Sequence, residues 1–311
     1  MRGRWWCGVA LAAALASPRQ ALARPPQARG KVIGVSVLTM QHQFFQELRA
    51  GLEQRAREFG YEMVVTSGEF DPARQANQID DFIARKVDAI VLAPCDSVGV
   101  GASIEQANKA GIPVFTTDIA STSSVGKVVA HIASDNYLGG RRAGELMVKA
   151  LNGQGDIVLI THPGVTSVID RVRGFKDVVA KAKGIRILAE VPAWGQRAKA
   201  QSVMEDLLVR LPNMRGVFGI NDDSALGALA AIAAAGKAGK ILIVGYDATP
   251  EAREAMRRGL IYGDTIQHPR KMGELTIDAV RDHFAGKKLP AWIPVETGVY
   301  TAAEAQKPTP R

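Results

Sequence analysis

From residue 31 onward the sequence alternates between two hydrophobic periods, and few folds accommodate that alternation. Short continuous apolar runs rich in β-branched residues take turns with longer stretches whose apolar residues recur every three or four positions. The runs at 32–38, 62–66, 89–93, 113–116 and 127–133 predict strands, and those at 44–59 and 74–85 predict helices. On the first helix Phe45, Leu48, Leu52 and Ala56 share a face; on the second, Ala76, Ile79, Phe82 and Ile83 do. The theme repeats with strands at 156–161, 186–191, 217–220 and 241–246, and helices at 168–182, 198–211, 224–235 and 250–258. Continuous rather than alternating apolar strands are the mark of parallel strands covered on both faces. Strand, helix, strand connections then close right-handed. The expectation is an α/β protein of two similar doubly wound parallel-sheet units, each about 130 residues long, with no Pro/Ser-rich linker between them.

The segment before residue 31 reads differently. Met1-Arg2-Gly3-Arg4 is basic, residues 5–16 carry no charge, and Ala21-Leu22-Ala23 places small residues where a signal peptidase reads. The apolar run is shorter than the roughly 20 residues a membrane-spanning helix needs, so residues 1–23 are expected to be an export signal removed near Ala23. A short N-terminal anchor is the competing reading. Cleavage removes Arg2, Arg4 and Arg19 and no acid from a chain of net charge +8. The remaining basic residues are scattered and only 6% of residues are aromatic, which suits solvated helix faces rather than a nucleic-acid surface. Of two cysteines, only Cys95 remains after cleavage, so no internal disulfide can form.

Catalytic signatures are missing. There is no phosphate-binding Gly-rich loop with Lys-Ser/Thr, no Gly-x-Ser-x-Gly and no His-Glu-x-x-His. Gly99-Val100-Gly101 lacks the third glycine of a dinucleotide fingerprint, because Ile104 stands there. No two of the five histidines share a metal-ligand spacing. No metal and no cofactor are expected.

In open α/β sheets ligands bind beyond the carboxyl ends of the strands. Gln41, His42, Phe44 and Phe45 follow the first strand, and Asp118 follows the strand at 113–116. Thr161 ends the strand at 156–161, with Arg171 on the helix behind it; Trp194 follows the next strand. Asn221, Asp222 and Asp223 follow the strand at 217–220, Asp247 the one at 241–246, and Gln267 ends the segment 262–267. Carboxylates, carboxamides and one guanidinium can bridge neighbouring hydroxyls, and aromatic faces cover the C–H faces of a ring. The set suits a small neutral polyhydroxylated molecule. Simpler roles compete. Asp118 and Asp247 are also the residue type that caps helices. Phe44 and Phe45 are adjacent, so one of them is expected in the core and one in the cleft. His42 reads equally well as a solvated loop residue.

These residues resemble periplasmic sugar-binding proteins of the ribose-binding type, the type I solute receptors of ABC importers. The resemblance spans residues 31–300. It is carried by Gln43-Phe44-Phe45, Gly51, Gly60-Tyr61, Ile112-Pro113-Val114 with Asp118, and His131-Ile132-Ala133-Ser134-Asp135-Asn136 with Gly139-Gly140. The second half adds Arg171-Val172-Arg173-Gly174-Phe175, Asn221-Asp222 with Ala225-Leu226-Gly227, Gly245-Tyr246-Asp247 and Thr265-Ile266-Gln267. The resemblance implies that Phe44, Phe45 and Trp194 sandwich a sugar ring, and that Asp118, Arg171, Asn221, Asp247 and Gln267 bond its hydroxyls. It implies two lobes, 31–132 with 268–296 and 133–267 with 297–304, followed by a tail at 305–311. A three-segment hinge would join them near 131–134, 267–268 and 295–297.

Three positions depart from the ribose receptor: Leu38 stands for a serine, His42 for an asparagine and Ile119 for an arginine. A ligand of different stereochemistry, with a deoxy position, or with an open polyol chain therefore competes with ribose, and His42 or Gln41 is expected to supply replacement bonds. The implied function is an exported monomer in the periplasm that captures a monosaccharide or sugar alcohol, without catalysis, and delivers it to a membrane permease of an ABC importer. A chemoreceptor is a further partner the resemblance admits. A receptor for a non-sugar signal molecule is the alternative. A sugar-responsive repressor would need a helix-turn-helix of about 60 residues ahead of the first strand, where an export signal is read instead. A hydrolase would use Asp118 and Asp247 as paired carboxylates.

Overall fold

The computed structural model describes residues 30–305. The expected export signal, Cys7 within it, and residues 306–311 of the expected tail lie outside the described residues. The first half contains β1 (Val32–Val37), α1 (Gln43–Glu58), β2 (Glu62–Ser67), α2 (Pro72–Ala84), β3 (Ala89–Leu92), α3 (Gly101–Lys109), β4 (Val114–Thr117) and β5 (Val128–Ser134). Next come α4 (Asn136–Ala150), β6 (Gln154–Thr161), α5 (Thr166–Val179), β7 (Gly184–Pro192), α6 (Arg197–Arg210), β8 (Gly216–Gly219), α7 (Asp222–Ala234), β9 (Leu242–Asp247), α8 (Pro250–Arg257) and β10 (Gly263–Ile266). The chain ends with α9 (Pro269–Phe284), β11 (Trp292–Val295), β12 (Gly298–Thr301) and α10 (Ala302–Ala305).

The strands form two six-stranded sheets, ordered β11-β5-β4-β3-β1-β2 and β12-β10-β9-β8-β6-β7. The order is the same in both: the second strand of each half lies outside the first, and the rest follow on the other side. β1, β3, β4 and β8 are buried along their whole length, as continuous apolar runs between two helical layers require. The chain passes between the sheets three times: at Asp135 between β5 and α4, at Gln267–His268 between β10 and α9, and at Glu296–Thr297 between β11 and β12.

Two details differ from the sequence reading. β5 runs through Ser134 because its end still pairs with β11, Val295 opposite Ser134; the expected lobe boundary after residue 132 falls inside that strand. The sheets are also not wholly parallel, since β12 runs antiparallel to β10, with Gly298 opposite Ile266. The link Glu296–Thr297 is too short to hold a crossover helix. β11 delivers the chain at the carboxyl ends of the first sheet, so β12 enters the second sheet at its carboxyl ends and must run backwards. The carboxyl ends of the two sheets therefore face one another.

Helix pairs flank both sheets at backbone contact. A Cβ on Gly51 of α1 would stand 2.0 Å from the Arg270 carbonyl oxygen, and one on Gly273 of α9 would stand 2.3 Å from that of Leu48. In the second half, a Cβ on Gly140 of α4 would lie 2.0 Å from the Arg171 oxygen, and one on Gly174 of α5 would lie 2.1 Å from the Tyr137 oxygen. Reciprocal glycines thus set the depth of α5, and with it the position of Arg171. Gly140→Ala is expected to force the pair apart at a cost of about 1–3 kcal/mol, lowering the melting midpoint by several degrees in a thermal melt. Gly111→Ala is a control: it meets open space and carries only the strain of φ +78°.

Candidate functional site

Eight of the nine residues expected at a site line a single cavity between the two sheets: His42, Phe44, Phe45, Asp118, Arg171, Asn221, Asp247 and Gln267. Each lies at or just beyond the carboxyl end of a strand, apart from the two phenylalanines, which open α1, and Arg171, which faces inward from α5. The cavity is narrow, with a volume of about 30 Å³.

Arg171 is buried, and its partners fix it. Nε donates to Asn136 Oδ1 at 2.8 Å, Nη1 donates to the Ile220 carbonyl at 2.9 Å, and the guanidinium lies 3.9 Å from the Tyr246 ring centroid. Its Nη2 is left 3.9 Å from Asp118 Oδ1, too far for a hydrogen bond. Asp118 belongs to the first sheet and Arg171 to the second half, so this near-contact spans the cavity. Asp118 Oδ1 has no partner within the protein, nor does Gln267 Oε1. Gln267 Nε2 donates to Asp247 Oδ1 at 2.8 Å. The walls thus offer unused acceptors beside unused guanidinium N–H groups.

Both carboxylates sit on strained backbone. Asp118 has φ +62° and Asp247 φ +115°, conformations that a non-glycine residue adopts at a cost. The Ile119 amide donates to the Thr117 carbonyl at 2.7 Å, the hydrogen bond of a γ-turn around Asp118. Neither aspartate is a helix cap. No helix follows Asp118 before β5, and α8 is capped by Thr249, whose hydroxyl accepts the Ala252 amide. Burial pushes the Asp118 carboxyl up to about 6, against the pull of Arg171. Burial likewise raises Asp247 well above the usual carboxylate range, again opposed by Arg171.

Phe44 and Phe45 are both buried and both line the cavity, their rings 5.1 Å apart and perpendicular; the expected division between core and cleft does not occur. Asn221 caps α7 by accepting the Ser224 amide at 2.9 Å and donates to the Gly195 carbonyl at 3.2 Å. Asp222 turns away and accepts the Thr249 amide at 2.6 Å. Gln41 is exposed and donates to Glu69 at 2.7 Å. His42 lines the cavity rather than standing in solvent, and burial lowers its pKa.

Trp194 is the exception. It does not line the cavity: it is 41% exposed and packs edge-on against His162, centroids 5.6 Å apart. The reason lies in the sheet order. Trp194 follows β7, the edge strand, and turns outward in a left-handed step with Gly195 (φ +58° and +69°). His162 follows the more central β6 and takes the inner place. Its chain neighbour Thr161, expected at the strand end, is the last residue of β6 and does not line the cavity. Burial brings His162 down to about 4, so the ring is neutral at pH 7. Ser167 and the apolar residues Leu38, Ile119, Val165, Val168 and Ile220 complete the walls.

The two halves touch around the cavity. The Ala120 amide donates to Thr166 Oγ1 at 3.0 Å, the Thr166 amide donates to Ser97 Oγ at 3.0 Å, and the Ser97 amide donates to the Gly164 carbonyl at 3.2 Å. On another side His42 Nε2 lies 3.8 Å from Asp223 Oδ2.

Residues 33–288 match the family described as periplasmic binding protein domain. The chain is 35% identical over 265 residues to a ribose import binding protein of Salmonella typhimurium, covering 85% of this chain and 88% of that one. It is 31% identical over 240 residues to a xylitol-binding protein of Mycolicibacterium smegmatis, covering 76% and 68%. Among solved structures it is similar to an ABC transporter solute-binding protein from Agrobacterium vitis bound with α-D-tagatopyranose. There the TM-score is 0.85 at 29% identity, over 89% of this chain and 97% of that chain.

Asp118 provides a test of the site's electrostatics. Its carboxyl ionises at about 6 in the folded protein and near 3.9 unfolded. The folded form therefore holds the proton more tightly, and stability is lost as pH rises from about 4 through about 6. Asp118→Asn lacks this term. Its melting midpoint is expected to exceed that of the wild type at pH 7–8, by an amount corresponding to at most about 3 kcal/mol, and to match it near pH 4. A variant less stable than the wild type at pH 8 would overturn this.

Proposed function

The chain belongs to the periplasmic binding protein family, and we propose that it captures a monosaccharide or sugar alcohol between its two lobes and delivers it to the membrane permease of an ABC importer. One observation carries this reading: Asp118 of one lobe and Arg171, Asp247 and Gln267 of the other lobe and its hinge converge on one narrow cavity, where Asp118 Oδ1, Gln267 Oε1 and an edge of the Arg171 guanidinium lack hydrogen-bond partners. Vicinal hydroxyls satisfy that set, each donating to a carboxylate or carboxamide oxygen and accepting from the guanidinium. With Asp118 and Asp247 beside its one guanidinium, the cavity has no surplus positive charge to offset an anionic solute such as a sugar acid or phosphate. Relatives named for ribose and xylitol, and a neighbour holding tagatopyranose, support the same class.

Capture needs no covalent step. The solute bonds both lobes only when they meet, so it shifts an open–closed equilibrium toward the closed form, and the closed form docks on the permease. The hinge is the set of crossings at Asp135, Gln267–His268 and Glu296–Thr297, where Arg142 of α4 donates to the Thr297 carbonyl and hydroxyl. Export to the periplasm follows from the reading of residues 1–23 as a signal; among the described residues no helix is long and apolar enough to cross a membrane.

A thermal-shift screen of the purified protein against pentoses, hexoses, deoxysugars and polyols tests the reading. A true ligand at 100-fold over its Kd stabilises by about 2.7 kcal/mol, a rise of several degrees. Arg171→Ala and Asp118→Ala are each expected to abolish it, and the sugar is expected back chemically unchanged. A flat profile across all classes overturns sugar capture and favours a receptor for a non-sugar signal molecule.

Closure has its own test. The Thr166 hydroxyl bridges to Ala120 across the lobes without lining the cavity. Thr166→Val keeps the shape and strands the Ala120 amide in the closed form alone. It is expected to weaken sugar binding about tenfold, the equivalent of one lost hydrogen bond, mostly through faster dissociation in stopped-flow measurements. The melting midpoint without sugar should change little.

A further inference from the structure

The cavity lining combines polar and apolar side chains. Asp118 Oδ1, Gln267 Oε1 and the free edge of Arg171 lack hydrogen-bond partners, and His42, His162, Ser167 and Asn221 are further polar residues of the lining. Leu38 and Ile119 line the same cavity, both nearly inaccessible to solvent, and neither side chain offers a donor or an acceptor. Backbone groups there are also engaged within their own lobe: the Ile119 amide with Thr117, and the Leu38 carbonyl with the Phe70 amide at 3.1 Å. From the other lobe Val165 and Val168 are buried and line the cavity as well. Val165 precedes Thr166 and Ile119 precedes Ala120, the two residues joined by the interlobe hydrogen bond. The bridge therefore brings Val165 and Ile119 to the same end of the cavity, which Leu38 and Val168 line as well.

We propose that the captured solute has an unoxygenated edge, a deoxy carbon or a methyl group, seated against Leu38 and Ile119, while its hydroxylated edge meets Asp118, Arg171 and Gln267. This deepens the proposed function and rests on it. A hydroxyl directed at Leu38 and Ile119 would lose its water on closure and find no partner, whereas a CH₂ or CH₃ group leaves none behind and packs against branched side chains. A neighbouring apolar wall supplied by the opposite lobe closes over that edge, so the discrimination is made at closure and appears in the Kd of the closed complex.

Matched sugar pairs test the inference by isothermal titration, using protein unfolded, dialysed free of carried-over solute and refolded: D-fucose against D-galactose, L-fucose against L-galactose, L-rhamnose against L-mannose, and 5-deoxy-D-ribose against D-ribose. In at least one pair the deoxy member is expected to bind at least tenfold more tightly. Leu38→Ser and Ile119→Thr, each verified as folded by its melting transition, are expected to shrink that ratio toward one. If sugars bind but the fully hydroxylated member of every pair binds as well or better, the inference is overturned and sugar capture stands. If the variants bind with the wild-type ratio, Leu38 and Ile119 do not form the subsite and the inference fails in that form. If no member of any pair binds while other polyols do, the apolar edge is again overturned. If nothing binds at all, the proposed function falls with it. The wild-type ratios stand on their own should a variant fail to fold.

Discussion

A single guanidinium buried between two lobes organises this molecule. Arg171 is removed from solvent, and its charge is tolerable only because Asn136, the Ile220 carbonyl and the face of Tyr246 hold it while the Asp118 and Asp247 carboxyl groups lie near it. Each of those partners comes from a different element, so the charge fixes the relative placement of α4, α5, β8 and β9. The arrangement also leaves N–H groups directed at the cavity. Burial that would be costly in an ordinary core is here the source of binding capacity: the same groups that lack partners in the protein are those a polyol would satisfy.

That placement depends on backbone proximity. Arg171 reaches inward because α5 lies against α4 with Gly140 beneath its carbonyl and Gly174 beneath that of Tyr137. α1 and α9 repeat the device through Gly51 and Gly273, seating the start of α1, where Phe44 and Phe45 line the cavity, and the start of α9, which follows the crossing at Gln267. Two helix pairs held by the absence of side chains thus position both the aromatic and the charged walls. Between them, the lobes meet through few hydrogen bonds, chiefly those of Thr166 with Ala120 and Ser97. Such contacts are individually modest, as the proposed equilibrium between open and closed forms requires.

Much of this was legible in the chain, and the exceptions have physical causes. The alternation of apolar runs identified the strands of the central sheets because strands covered on both faces carry a strong local signal. α3, α9, β11 and β12 carry a weaker one and were not read. α3 is short and polar, β11 includes Pro294 and lies at a sheet edge, and β12 is half-buried throughout. Strand-end position located Asp118, Asn221, Asp247 and Gln267, since each follows a run that could be counted. It misplaced Trp194 and passed over His162, because the rule says that a residue follows a strand and not whether that strand is central or at an edge.

By itself, then, the sequence determined which segments become strands and helices, where close helix contact is possible, and what chemistry follows each strand. Those properties depend on residues within a few positions of one another. Only the tertiary structure decided that Asp118, Arg171 and Gln267, distant in the chain, share one cavity, that Trp194 stands outside it, and that Leu38 and Ile119 line it beside them. Those outcomes turn on the order of strands across a sheet and on which lobe faces which. They are set by the sum of many long-range contacts, and no local pattern encodes them.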